Sequence, residues 1–321
     1  MKSPNKLLFV FLLISSTYLV ASSSNWLTTW MGLEINMLGY IPLIYMKENT
    51  SESEAAVKYL IPQSLGSTIF ISSAIISGHV NNLQILMVIA MCLKLGVAPF
   101  HFWFPPVMAS LQLMPAFILL TWQKIAPILA ISSFNPLLMK MVMPIAMISA
   151  LWGGIAGVNQ TDIRSLLTYS SIAHTGWMLA GINSNYTILI AYLFTYILIN
   201  ISIYSLLSKE DSKFYKQLFS SKEPTKIFVL SASILSLGGL PPLVGFIMKL
   251  LVLMFTKTKT IIIFGLVVGA LTSLLYYLSL TFSSLLSFSK MHLIKFQMIP
   301  KQMMLFFLSQ ILPLTLVLFF F

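Results

Sequence analysis

Four ionisable side chains stand inside long apolar runs of this sequence: Glu34, Lys94, Lys124 and Lys249. Glu34 lies about eight residues into its run, roughly 12 Å deep at about 1.5 Å per helical residue. Lys94 precedes Pro99 by five residues, Lys124 is central in Leu119-Leu-Thr-Trp-Gln-Lys-Ile-Ala-Pro127, and Lys249 follows the Pro241-Pro242 pair by seven residues. A charge at the centre of a bilayer costs roughly 2.5–3.5 kcal/mol, which marks such residues as functional candidates. A lysine near a helix end escapes the cost by lifting its ammonium to the interface. That accounts for Lys140 and for Lys58, which can also pair with Glu54 at i, i+4. It does not account for Lys124, which has about nine apolar-rich residues on either side, and Glu34 is too short to reach an interface. One acid and three bases at this depth suit proton transfer. A desolvated amine loses proton affinity and a nearby carboxylate restores it. A Glu–Lys pair that opens and closes can therefore switch the protonation of a neighbouring lysine. Against an assumed potential of about 170 mV, roughly 4 kcal/mol per charge, the affinity must change about a thousandfold, and burial alone supplies changes of that size.

Three further residues are candidate members of such a relay: Lys58, His101 and His174. Ser170 and His174 are i, i+4 on one predicted helix with Ser171 and Thr175 beside them. This polar stripe can hold waters or can hydrogen-bond between helices, as Ser, Thr and His commonly do in membrane bundles. His101 lies within a proline-rich interruption, where it can cap loose carbonyls or pass protons.

The elements that carry these residues follow from composition. The chain has 321 residues, 58% hydrophobic and 8% charged, with a mean hydropathy of +0.91. A soluble domain carries about 25% charged residues, and a disordered chain needs low hydrophobicity with high charge. Both are excluded in favour of an integral membrane protein. The single cysteine, Cys92, rules out intrachain disulfides, cysteine-ligated iron–sulfur clusters and structural zinc, and reads as a packing residue. The four histidines, His79, His101, His174 and His292, lie on separate segments and cannot clamp stacked haems. The net charge of +11 is spread over short loops rather than gathered into an arm or stripe, so nucleic-acid binding is discarded.

A helix of about 20 apolar residues crosses the roughly 30 Å of hydrocarbon. That ruler predicts about eleven spans, near 5–22, 25–46, 56–78, 82–112, 114–132, 136–158, 161–182, 185–207, 225–255, 260–288 and 302–321. Lys47–Glu54 and Lys209–Lys226 are the two segments long enough to read as loops. The fourth and ninth spans are broken, at Pro99-Phe-His-Phe-Trp-Phe-Pro-Pro106 and at Gly238-Gly-Leu-Pro-Pro242. Proline removes a backbone donor and clashes with the preceding turn, and in lipid such a break survives only where protein or water satisfies the freed groups. The offset of five between the broken spans is odd, so two five-helix units would have opposite orientations, the pattern of inverted-repeat transporters. The predicted division is 1–133 and 134–288 as the two repeats, with 289–321 as a C-terminal helix.

Charge supports an orientation. With eleven spans, thirteen of the nineteen bases fall on the side of the amino terminus and three (Lys140, Lys257, Lys259) on the other. By the positive-inside rule the amino terminus then faces cytoplasm or matrix. Residues 1–24 also have the look of a cleavable leader, but retaining them divides the spans cleanly into two fives plus one.

Five segments together carry a family likeness: Trp30-Met-Gly-Leu-Glu34-Ile-Asn36, Lys94-Leu-Gly-Val-Ala-Pro-Phe-His-Phe-Trp103, Thr121-Trp-Gln-Lys-Ile-Ala-Pro127, Ser170-Ser-Ile-Ala-His-Thr-Gly-Trp177 and Leu237-Gly-Gly-Leu-Pro-Pro-Leu-Val-Gly-Phe246. From about residue 25 to residue 250 the chain resembles the animal mitochondrial NADH dehydrogenase subunit 2 family, antiporter-like membrane subunits of respiratory complex I. The resemblance implies two inverted five-helix repeats plus a terminal helix, with three amino-terminal helices of bacterial relatives missing. It puts Glu34 on the family's glutamate and Lys94 on the lysine paired with it. Lys124 falls on its central lysine, and Lys249 on the residue at the exit half-channel. It further implies a proton-translocating role in the mitochondrial inner membrane, with a matrix-side amino terminus and an intermembrane-space carboxyl terminus. NADH, FMN, iron–sulfur clusters and ubiquinone would be bound by other subunits and no cofactor by this chain. Partners would be the other membrane-arm subunits and membrane lipid, with no nucleic acid. Met248 and Leu250 flank Lys249 where the family has proline and tryptophan, a departure that bears on the bend and on the aim of that lysine. Two rivals share the same residues: a stand-alone cation/proton antiporter of the same fold, and a structural scaffold whose buried charges only lock helices together.

Overall fold

A computed structural model of the chain describes residues 3–45, 49–77, 84–207, 224–256, 260–289 and 301–318. The described residues form helices joined by turns, with no strand among them. Five helical stretches are individually long and apolar enough to cross a bilayer: Thr50–Ile76, Leu113–Ser132, Pro136–Gly157, Tyr186–Leu207 and Thr260–Phe282. The protein is an all-α polytopic membrane protein. It divides into two compact units, residues 1–145 and 146–321.

The first unit holds α1 (Ser3–Ser22), α2 (Trp26–Ile44), α3 (Thr50–Ile76), α4 (Gln84–Leu95), α5 (Phe104–Ser110), α6 (Leu113–Leu120) and α7 (Trp122–Ser132). α2 lies against α1 through small residues. A Cβ at Gly32 would stand 2.6 Å from Val20 Cγ2, and one at Gly39 would stand 3.3 Å from Leu12 Cβ. α3 buries the stripe Ala55, Tyr59, Gln63, Gly66 and Phe70 against α2 and α4, the i, i+4 and i, i+3 spacing of one helix face. Lys140, the fifth residue of α8 (Pro136–Gly157), is exposed, as a lysine near a helix end should be.

The second unit continues with α9 (Ile163–Ile182), α10 (Tyr186–Leu207), α11 (Pro224–Gly238), α12 (Val244–Phe255), α13 (Thr260–Ser289) and α14 (Lys301–Leu318). α9 packs on α10, α12 and α13. In the part of α8 within this unit, a Cβ at Gly153 would stand 2.6 Å from the Tyr169 carbonyl oxygen, so α8 and α9 approach backbone to backbone.

Both predicted breaks are present and are closed in the same way. α4 ends on Gly96 at φ 67°, with Val97 N–H donating to the Cys92 carbonyl at 3.1 Å and Gly96 N–H to Leu93 at 3.2 Å. α11 ends on Gly239 at φ 84°, with Leu240 N–H donating to Leu235 at 3.5 Å and Gly239 N–H to Ser236 at 3.2 Å. A left-handed glycine with this pair of bonds satisfies the last carbonyls of a helix, and a side chain at either position would be strained.

Two expectations need correction. The predicted loop Lys47–Glu54 is helical from Thr50 onward, because the first turn of α3 is polar and a hydropathy ruler reads a polar helix start as loop. The fifth span is interrupted too. Thr121, at φ −110° and ψ −69°, separates α6 from α7, and its hydroxyl donates back to Phe117 O at 2.7 Å. The second predicted loop becomes helical at Pro224, while residues 208–223 lie outside the described residues. Lys2, Lys47, Lys257, Lys259, Lys290, Lys295, His79 and His292 lie outside them as well.

Candidate functional site

In the first unit, Lys94 and Lys124 line one small cavity. Lys94 comes from the last turn of α4, immediately before the break, and is 4% exposed; Lys124 comes from the first turn of α7 and is 3% exposed. The cavity is about 20 Å³, room for about one water. Asn36, Tyr59, Gln63 and Gln123 supply its polar wall, and Leu33, Phe104 and Leu119 part of its apolar wall.

The Lys94 stem lies across Gly66 of α3, whose Cβ would stand 2.9 Å from Lys94 Cγ. Its ammonium is buried and makes no hydrogen bond. Glu34, half-buried on α2, is close enough for its charge to act on both Lys94 and the Tyr59 hydroxyl. The pairing that the family likeness implies is therefore a through-space interaction here and not a closed ion pair. Lys124 Nζ sits 5.9 Å from the centroid of the Phe104 ring, within the range at which an aromatic face attracts a cation.

A hydrogen-bonded chain runs along the cavity wall. Tyr59 Oη donates to Gln123 Oε1 at 3.2 Å, and Gln123 Nε2 donates to Asn36 Oδ1 at 3.2 Å. The broken end of α4 is closed by side chains from two other elements. Trp103 Nε1 donates to Leu93 O at 3.1 Å and Gln63 Nε2 to Lys94 O at 2.9 Å. These bonds meet the requirement that irregular backbone at membrane depth be satisfied by protein, and they hold Lys94 at the cavity.

His101 and Lys58 stand apart from this cavity. His101 is buried in the turn between α4 and α5, stacked on Phe102 at 4.6 Å, with its ring hydrogen-bonded to the Pro99 backbone. Lys58 is exposed on α3 and pairs with Glu54 at 3.1 Å, the i, i+4 contact expected from spacing.

In the second unit, Lys249 and His174 share a pocket with Ser170, Trp177, Ser273, Tyr276 and Tyr277. Lys249 reaches back across its own break. Its Nζ donates to Gly238 O at 2.8 Å and to Leu237 O at 3.2 Å, the last carbonyls of α11. A cation at this point faces the negative end of the α11 dipole. A Cβ on Gly239 would stand 3.2 Å from Lys249 Nζ, so the lysine lies directly over the glycine that ends the helix. His174 Nδ1 is 2.8 Å from Tyr192 Oη. The hydroxyls of the α9 stripe turn back onto their own helix, Ser170 to Leu167 O at 2.8 Å, Ser171 to Thr168 O at 2.7 Å and Thr175 to Ile172 O at 2.7 Å.

Comparison with known proteins places the chain in a family. The model of the family described as NADH:quinone oxidoreductase/Mrp antiporter, transmembrane, matches residues 23–82 and 75–276. The NADH-ubiquinone oxidoreductase chain 2 of Nandinia binotata is 39% identical over 303 residues, covering 89% of this chain and 87% of that protein. The chain belongs to the NADH-ubiquinone oxidoreductase chain 2 family. A chain of respiratory complex I from Thermus thermophilus, solved with bound aureothin, is similar at a TM-score of 0.81 and 26% identity over 97% of this chain and 77% of that one. A chain of the Mrp complex from Dietzia sp. DQ12-45-1b shares the fold, with a TM-score of 0.69 and 18% identity over 87% of this chain and 59% of that one.

Several side chains at the sites of this chain 2 family member were not singled out from sequence. Asn36, Tyr59, Gln63 and Gln123 could have been found as polar residues recurring at i, i+4 within α3, or beside Glu34 and Lys124 on their helices. Glu52 is more surprising. It is 1% exposed in the first turn of α3 and accepts a hydrogen bond from Gln112 Nε2.

Proposed function

We propose that this chain works as a proton-translocating membrane-arm subunit of NADH:ubiquinone oxidoreductase. It couples quinone reduction elsewhere in the complex to proton transfer through Glu34, Lys94, Lys124 and Lys249. The observation that carries this reading is the pair of buried lysines, from α4 and α7, on one cavity with room for about one water and within reach of the Glu34 charge. Glu34 approaching Lys94 favours the ammonium form. Glu34 withdrawing leaves the amine in apolar surroundings, where the neutral form gains and the proton is released. A water in the cavity would carry it towards Lys124, whose charge the Phe104 face attracts. Lys249 supplies a titratable group in the second unit, where its ammonium closes the broken end of α11.

The finer reading has eleven spans in two inverted repeats, residues 1–133 and 134–288, and a terminal helix over 289–321. The protein is multi-pass in the mitochondrial inner membrane, with its amino terminus on the matrix side and its carboxyl terminus in the intermembrane space. It assembles with the other membrane-arm subunits, and NADH, FMN, iron–sulfur clusters and ubiquinone are bound by them and by the rest of the complex. The matching construction of the two breaks, a left-handed glycine after each shortened helix, supports the repeat. Native electrophoresis of detergent-solubilised membranes with mass spectrometry of the bands tests assembly. The chain is expected in one very large band that oxidises NADH. A small band whose vesicles exchange cations for protons without NADH would instead make it a stand-alone antiporter.

A further inference from the structure

The proposed relay includes Lys249, whose reach depends on how α12 begins. Lys249 stands five residues after Val244, the first residue of α12, about 7.5 Å along the axis. From there its ammonium turns back across the break to the Gly238 and Leu237 carbonyls. The two half-helices also meet directly, since a side chain at Gly245 would run into the Ser236 carbonyl. A shift in the first turn of α12 therefore carries Lys249 off the end of α11.

The first N–H groups of a helix have no partner within it, and a serine, threonine, aspartate or asparagine just before the helix commonly supplies one. α12 lacks that device. Its preceding residue is Leu243, extended at φ −109° and ψ 153° and without a side-chain hydrogen bond to the helix, behind Pro241 and Pro242. In hydrocarbon, water does not make up the deficit. The acceptor comes instead from α14, 66 residues along the chain: Val244 N–H donates to Gln310 Oε1 at 3.2 Å.

α14 turns this residue inward. Its buried face runs Phe306, Ser309, Gln310 and Pro313, while Phe307, Leu308, Ile311 and Leu312 are exposed, and the helix packs on α10, α11 and α12. Gln310 is 8% exposed, and its Nε2 is buried without a hydrogen bond among the described residues. An amide that engages only its oxygen leaves a buried donor unmet, a cost that a leucine of similar volume would avoid. General polar adhesion between helices does not explain such a residue. The bond its side chain does make goes to the start of α12.

We propose that Gln310 is a positioning residue for Lys249: from the terminal helix it fixes the first turn of α12 and so holds the Lys249 ammonium on the end of α11. No atom of Gln310 takes part in proton transfer; it acts through the backbone of Val244. This assignment rests on Lys249 belonging to the relay proposed above.

The test uses the whole respiratory complex in sealed membrane vesicles, with NADH-driven proton uptake measured per assembled complex. Gln310→Leu keeps the volume and removes the acceptor; uptake is expected to fall about tenfold, within the roughly hundredfold that a misplacement of about 1 Å can cost. A cryo-EM map of the same variant should show Lys249 Nζ moved out of hydrogen-bond distance of Gly238 O. Adding Val244→Pro then removes the donor that Gln310 serves. Proline suits the first residue of a helix, and the extended Leu243 suits the residue before a proline. Most of the uptake should return in the double variant, a rescue that a packing role for residue 310 would not produce. Normal uptake in assembled Gln310→Leu overturns the proposal, as does loss with Lys249 unmoved, or loss that Val244→Pro does not restore. Should Gln310→Leu fail to assemble, Gln310→Asn takes its place with the same three readouts, its side chain being one methylene shorter and drawn back from Val244. Failure of both to assemble makes Gln310 a folding residue and overturns the proposal. Lys249→Met run in parallel separates the two readings. Loss there with normal uptake in Gln310→Leu removes only the positioning role, whereas normal uptake in both removes Lys249 from the relay.

Discussion

Replacing Lys124 by Met in the assembled complex is expected to lower NADH-driven proton uptake, and the quinone reduction coupled to it, by roughly ten- to a hundredfold. A positioned acid–base group contributes about 10²–10⁴ to a proton-transfer step, and partial bypass of the residue by water in the cavity brings the expected loss to the bottom of that range and below it. Met fills a similar volume and removes both the charge and the exchangeable proton. Lys124 is 3% exposed with its ammonium 5.9 Å from the centroid of the Phe104 ring, so the replacement removes a buried charge at nearly constant volume. The measurement is proton uptake by vesicles, normalised to complex on a native gel, with NADH oxidation by an artificial acceptor as the control for the redox arm. Retention of full coupled activity would show that no obligatory proton crosses at this residue.

The second large effect is expected when the charge pair is removed as a unit. Glu34→Leu combined with Lys94→Met should leave assembly near normal and reduce proton uptake at least tenfold. Breaking a buried pair on one side strands a charge and costs about 3–5 kcal/mol, whereas replacing both members with apolar groups is often neutral or stabilising. Lys94 Nζ makes no hydrogen bond and Glu34 acts on it only through space, so little contact energy is lost in the double variant. A scaffold role predicts intact pumping from the same protein. The single variants supply the contrast: each should assemble less well than the double, in the order set by how completely the remaining charge is buried. Lys94, the more buried of the two, suffers more from losing Glu34 than Glu34 does from losing Lys94.

Much of the framework was legible because hydrocarbon imposes a simple ruler, and polar interruptions stand out against it. The breaks at Pro99 and at Pro241-Pro242 announced themselves, and Gly96 and Gly239 are where a left-handed helix end would be sought. The break at Thr121 did not. Threonine between Leu120 and Trp122 is an unremarkable span residue, and the gap lies in its backbone, at φ −110° and ψ −69°. Glu52 was hidden by the same ruler, since a polar helix start and a loop have equal hydropathy. The candidates Glu34, Lys94, Lys124, Lys249 and His174 were visible as polar groups in apolar runs. How they are held was not. Lys249 caps carbonyls eleven and twelve residues before it, Gln63 closes the helix end at Lys94 from thirty-one residues away, and His174 meets a tyrosine on the next helix. Such contacts depend on how a side chain folds across a break, which no spacing in one dimension encodes.

The central claim is that residue 124 must gain and lose a proton, not merely carry a charge. Lys124→Arg separates these, because a guanidinium keeps the positive charge and does not deprotonate in proteins. Proton uptake by sealed vesicles containing the assembled Arg variant is expected to be as low as that of the Met variant. Uptake at the wild-type rate in the Arg variant would mean that fixed charge suffices and that no proton passes through this side chain.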